Sequence, residues 1–93
     1  MKIIFKERFN KEAKLISSVK VRREIIELID IVETINSIQT ISGIKQLRHY
    51  PDAYRIIVAD DFRVVAHYDG DETFTFISIM HRRNVYRVLY FLR

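Results

Sequence analysis

Residues 53–80 read AYRIIVADDFRVVAHYDGDETFTFISIM, and the pattern in them is period two. Tyr54, Ile56 and Val58 alternate with Arg55 and Ile57. Phe62, Val64, Ala66 and Tyr68 alternate with Arg63, Val65 and His67. Phe74, Phe76, Ser78 and Met80 alternate with Thr73, Thr75, Ile77 and Ile79. Alternation of this kind, rich in β-branched and aromatic residues, marks half-buried strands. Asp69-Gly70-Asp71 supplies a hairpin turn between the last two runs. The stretch therefore predicts a three-strand antiparallel meander, ended by His81-Arg82-Arg83-Asn84.

The loop at Ala59-Asp60-Asp61 decides which side chains share a face. A two-residue turn at Asp60-Asp61 would set Val58 opposite Arg63 and send Arg55 and Arg63 to opposite sides. A three-residue loop sets Val58 opposite Phe62 and Ile57 opposite Arg63. The second register is the physical one. It gathers Tyr54, Ile56, Val58, Phe62, Val64 and Ala66 on one apolar side, whereas the first would bury an unpartnered guanidinium at a cost of roughly several kcal/mol. Arg55, Arg63 and His67 then share the open face, with Thr73 and Thr75 beside them. The antiparallel return brings His81 and Arg82 toward Arg63.

Outward from this stretch, Pro51-Asp52 reads as a turn, Ile44–Tyr50 has no clear period, and Thr40-Ile41-Ser42-Gly43 ends a helical pattern. That helix spans about Ser18 to Ser37, with Val21, Ile25, Leu28, Ile29, Val32 and Ile35 at spacings of three and four. Ile26 and Ile31 fall off the stripe. At the start, Lys2–Phe9 reads as a strand, and Asn10 as the N-cap of a helix over Lys11–Leu15. The order β-α-α-β-β-β, with a short helix or tail over Val85–Arg93, predicts an α+β domain. A helical hairpin packs on one face of an antiparallel sheet and the other face is left open.

With 93 residues, the chain is expected to form one domain over 1–93. The formal net charge of +4 points to an anionic partner, nucleic acid before membrane. There is no Cys, which excludes disulfide frameworks and thiol ligands. Three His without matching carboxylate spacing suggest no metal site. The N-terminus, Met1 to Arg8, has too short and too interrupted an apolar run for a signal peptide, and no stretch approaches a spanning helix. A cytoplasmic protein without a membrane partner is the expectation.

Three segments resemble the RelE branch of the RelE/ParE toxins of toxin–antitoxin systems. They are Leu47-Arg48-His49-Tyr50-Pro51-Asp52-Ala53-Tyr54-Arg55-Ile56, Asp61-Phe62-Arg63-Val64-Val65 and Ile79-Met80-His81-Arg82-Arg83-Asn84-Val85-Tyr86. The resemblance implies a ribosome-dependent endoribonuclease that cuts messenger RNA without metal or cofactor. The RNA's own 2′-hydroxyl would attack the adjacent phosphate, and a cognate antitoxin would block the working face. By resemblance Arg63 matches an arginine on the third strand, Arg55 a basic position on the second, His81 and Arg82 a basic pair after the last strand, and Tyr86 a C-terminal tyrosine. Their residue chemistry suits Arg63 and Arg82 to grip the phosphate and Arg55 to meet the backbone, while Tyr86 would stack on a base, position the hydroxyl, or pack in the core with Tyr90 and Phe91. Two positions depart from the family pattern: Ile57 stands where a second basic residue is common, and His49 stands where many members have Gly.

The chemistry of such a cleavage agrees with these residue types. It needs a base for the hydroxyl proton, cations for the charge growing on phosphate, and an acid for the leaving oxygen. The planar fork of Arg63 suits phosphate and stays charged at any working pH. Histidine exchanges a proton near neutral pH, which makes His81 the natural carrier. His67, Lys45, Arg48 and Arg83 extend the RNA-binding surface, while His49 reads as plain surface and Asp60 and Asp61 as loop formers. The alternatives are a ParE-like poison of DNA gyrase on the same fold and an inactive antitoxin-binding module. Oligomeric state and codon preference are not encoded in any readable pattern.

Overall fold

Val58 pairs with Phe62 and Ile57 with Arg63, so Ala59-Asp60-Asp61 is the three-residue loop that the apolar pattern requires. The computed structural model describes residues 1–85. Along the chain these form β1 (Lys2–Phe5), α1 (Glu7–Lys14), α2 (Val19–Thr34), a 3-10 turn at Ile38–Thr40, β2 (Ile44–Gln46), β3 (Ala53–Val58), β4 (Phe62–His67), β5 (Thr73–His81) and a 3-10 turn at Arg82–Asn84. The strands lie in the order β1-β5-β4-β3-β2. The α+β architecture, with helices on one sheet face, is as the sequence predicts.

The sheet is larger than the meander and is mixed rather than wholly antiparallel. β1 runs parallel to β5, from Lys2 opposite Thr73 to Phe5 opposite Phe76. β2, within the segment of unclear period, pairs antiparallel with β3 and sets Lys45 opposite Arg55. Three residues are too few to show a period, so only the pairing reveals this strand.

The predicted first strand is too long. The chain leaves β1 after Phe5, and Asn10 lies inside α1 rather than capping it; Lys6 holds the N-cap position. Helical geometry folds Phe9 back onto the sheet, where it is buried with its ring 5.8 Å from Phe5 and 5.2 Å from Phe76. α1 also covers the edge of β5 beyond the end of β1. There the Glu12 carboxylate accepts the Ser78 hydroxyl and the Ile79 N–H. Without that cover the edge would be open to pairing with another chain.

α2 begins where expected, with the Ser18 Oγ accepting the Val21 N–H at 3.3 Å. It stops at Thr34, three residues before the predicted Ser37. Ile38 and Ile41 then turn inward and close the core. Val21, Ile25, Leu28 and Val32 form the buried stripe, packed over Ile56, Val64, Phe74, Phe76 and Ile79.

One irregularity sets the faces at the C-terminal end of β5. Ala66 pairs with Phe76 but Val65 pairs with Ser78, so Ile77 is an extra residue in a β-bulge. Unbroken alternation would have kept Ser78 and Met80 on the side of Phe74. Instead Ile79 joins the helix-side core, and Met80 packs with Val65 on the far side. His81 is carried to the helix side as well, opposite Phe62. The bulge keeps Ile79 in the apolar core and leaves Ser78 to bond Glu12.

Candidate nucleic-acid interface

The face of the sheet away from the helices is built by strand alternation. Lys45, Arg55 and Val65 lie in one cross-strand row, and Ile57, Arg63 and Met80 in the next. Val65 and Met80 are buried here, with Leu47, Ile77 and Val85 packed around them. This small apolar floor keeps the bases of the long side chains in place while their heads remain near solvent.

Above the floor lies a cleft of about 1350 Å³. Lys45, Arg48, Arg55, Arg63 and Arg82 line it, with His49, Tyr50 and Pro51 forming one wall, and no Asp or Glu is among its lining residues. Among the described residues alone, five cations line this one concavity, more than the net charge of +4 carried by the whole chain. A concave surface of one sign focuses its field on an approaching anion.

The guanidinium groups of Arg55 and Arg63 are aimed by main-chain acceptors. Arg55 Nη1 donates to the Gly43 carbonyl at 3.0 Å. Arg63 Nη1 donates to the carbonyls of Asp60 at 2.6 Å and Phe62 at 2.9 Å. For Arg82 the main-chain N–H donates to the Asp61 carbonyl at 2.7 Å, and the guanidinium Nε stands 3.9 Å from Asp61 Oδ1. Each guanidinium has five N–H donors in a fixed fork, so one anchored nitrogen orients the rest toward the cleft. Gly43 is needed where it stands. Its φ is +76°, and a Cβ there would lie 3.3 Å from the Cβ of Ile57.

No protein-family model and no curated protein matches this sequence. Solved structures do. A chain of the RelB–RelE antitoxin–toxin complex from Methanococcus jannaschii is 26% identical over 90% of this chain and 95% of its own length, with a TM-score of 0.77. The isolated RelE toxin of E. coli is 24% identical over 96% of this chain and 94% of its own, TM-score 0.63. YafQ from E. coli strain BL21(DE3) is 14% identical over 91% and 97%, TM-score 0.73, a likeness of fold.

The chain resembles the RelE toxins in fold and in sequence.

Of the nine residues that the sequence singles out in this RelE-like chain, the structure brings five into the cleft: Lys45, Arg48, Arg55, Arg63 and Arg82. Three lie elsewhere. His81 turns to the helix side of the sheet, where its ring meets Phe62 edge-on at 5.8 Å and its Nδ1 accepts the Arg83 N–H at 3.3 Å. The expectation that strand return would carry His81 to Arg63 fails because of the bulge at Ile77. His67 pairs with Ala53 and Thr75 at the far end of β4, on the open face but outside the cleft lining. Arg83 is exposed in the final turn and also outside that lining. Tyr86 lies outside the described residues.

The structure adds His49 and Tyr50, which line the same cleft as the arginines. His49 has φ +69°, a left-handed conformation that is uncommon outside glycine. The Gln46 side-chain amide donates to the Pro51 carbonyl and ties the wall to β2. The readable signal was two ring-bearing residues amid Arg48, Lys45 and Arg55. Among the described residues no group of three or more His, Cys, Asp or Glu could hold a metal ion. No helix there is long and apolar enough to cross a membrane.

Proposed function

We propose that this chain is the toxin of a toxin–antitoxin pair and cleaves messenger RNA on the ribosome. The observation that carries the reading is a cleft on the sheet face away from the helices, lined among the described residues by five cations and no carboxylate. RNA phosphates bring the complementary charge, and single-stranded RNA fits a concave surface with ring-bearing walls.

In this reading Arg63 and Arg82, both tied to the Ala59–Asp61 loop, hold the scissile phosphate. Their charge is fixed, so they stabilise the transition state without a proton transfer of their own. Arg55, Lys45 and Arg48 grip the flanking backbone. His67 and Arg83, outside the cleft lining, extend the RNA-binding surface beyond it. His49, rather than His81, is the histidine of the cleft and takes the 2′-hydroxyl proton. The 2′-oxygen forms a bond to phosphorus, the bond to the 5′-oxygen breaks, and the leaving oxygen takes a proton from solvent or from the imidazolium. The products are a 2′,3′-cyclic phosphate and a 5′-hydroxyl. Tyr86 keeps the stacking role that its aromatic ring suits.

RelE partners RelB in the complexes from Methanococcus jannaschii, E. coli and Pyrococcus horikoshii, and YoeB partners YefM in that from Staphylococcus aureus. By extension a cognate antitoxin, complementary in charge to the cleft, silences this chain.

The test is induction in growing bacteria with mapping of messenger 5′ ends on ribosomes. Cuts within translated codons are expected. Arg63→Ala is expected to lower the rate about 100-fold, the effect of removing one donor to a developing oxyanion. Growth arrest with intact messages and broken DNA would replace this reading with gyrase poisoning, and absence of toxicity would leave an antitoxin-binding module.

A further inference from the structure

We propose that Glu24, on α2, is a positioning residue for Arg63 and Arg82 and acts through the loop between β3 and β4. The inference rests on the RNA-cleaving reading of the cleft and adds to it a residue from the opposite side of the sheet.

The loop is in an unfavourable conformation. Ala59 has φ +49° and Asp60 has φ +61°, two consecutive non-glycine residues in the left-handed region. L-residues avoid that region because Cβ crowds the following carbonyl, and such strain persists only where surrounding structure over-determines it. Here an outside acceptor holds the strained turn. Glu24 Oε1 accepts the Ala59 N–H at 2.9 Å, across 35 positions of sequence. Glu24 itself is half-buried, next in the chain to the buried Ile25, so the core fixes its helix turn.

What the loop holds is the catalytic charge. The Asp60 carbonyl accepts Arg63 Nη1, and the Asp61 carbonyl accepts the Arg82 N–H. The Asp61 carboxylate stands 3.9 Å from Arg82 Nε. A hydrogen-bonded path therefore runs from α2 through Ala59 to the Arg63 guanidinium and to the Arg82 main chain, with the Asp61 carboxylate paired to the Arg82 guanidinium. If Glu24 lets go, the Ala59 N–H loses its acceptor, the left-handed pair relaxes, and the Asp60 and Asp61 carbonyls rotate. Arg63 and Arg82 stay cationic but lose their common aim. Misplacement of about 1 Å is enough to cost roughly 100-fold in rate.

The experiment compares Glu24→Ala, Glu24→Asp and Glu24→Gln in the full-length, isotope-labelled protein. Glutamine keeps an oxygen at the same reach; aspartate keeps the charge but falls one carbon short. In E24A and E24D, faster hydrogen exchange at the Ala59 amide and shifted Nε–Hε signals of Arg63 and Arg82 are expected, with thermal unfolding showing a folded protein. E24Q is expected to keep the wild-type signals. In single-turnover cleavage of ribosome-bound messenger, E24A is expected to lose about 10-fold in rate at saturation, with affinity for the ribosome unchanged and E24Q near wild type. Unmoved arginine signals in E24A, or an E24Q as defective as E24A, would overturn the proposal. A wild-type protein that cuts no RNA would instead reject the reading of the cleft, while the arginine signals would still judge the loop.

Discussion

The two faces of this sheet are made by the same strands and do opposite work. The helix-covered face is dry: Ile56, Val64, Phe74, Phe76 and Ile79 are at most 2% exposed, beneath the apolar stripe of α2. The open face has only a small apolar floor around Val65 and Met80, beneath a rim of arginines and a lysine. The first face stores the stability of the fold. The second places like charges together, which no folding requirement favours. The difference teaches where to look for function: in the side that packing leaves alone.

If the division is sound, substitutions on the two faces should separate stability from activity. The largest expected effect is on the covered face. Phe76 is fully buried, with its ring 5.2 Å from each of Phe5, Phe9 and Phe74. Phe76→Ala is expected to lower unfolding free energy by about 3–5 kcal/mol, read from urea denaturation. A loss below about 1 kcal/mol would show that this cluster is not the centre of the core.

A middle effect distinguishes the walls of the cleft from its surroundings. His49→Gly relieves a left-handed φ, so unfolding free energy is expected to rise by about 1 kcal/mol. Cleavage of ribosome-bound messenger is expected to fall about 100-fold with the imidazole removed. Gain in stability with loss of rate would mark His49 as kept for chemistry. A variant that is more stable and equally fast would break that assignment.

The smallest expected effect adds a charge instead of removing one. Ile57 sits on the open face opposite Arg63, 38% exposed. Ile57→Lys is expected to leave stability within about 0.5 kcal/mol. It should steepen the dependence of single-stranded RNA affinity on salt by about 0.7 in the log–log slope, one more phosphate contact. An unchanged slope would place the RNA path away from this row.

Much of this arrangement is legible in local pattern. The period-two runs from Tyr54 to Met80, the three-residue loop at Ala59–Asp61 and the helical stripe from Val21 to Val32 all follow from where apolar area must go. Those choices alone put Arg55 and Arg63 on one face. His81 was misplaced because alternation was carried unbroken through β5, and nothing local to Ile77 announces a bulge. His49 reads as plain surface because a backbone angle leaves no mark in composition.

The sequence by itself determined the strands, their register at the decisive loop and the side on which the arginines emerge, because burial of alternating residues is a local demand. Only the tertiary structure decided the parallel seat of β1, the edge cover by α1, the bulge that turns His81 away, and the hold of Glu24 on the loop beneath Arg63 and Arg82. The bulge depends on pairing with the neighbouring strand and the other three on partners dozens of residues distant, and the energy of such meetings is set by geometry that no window of neighbouring residues contains.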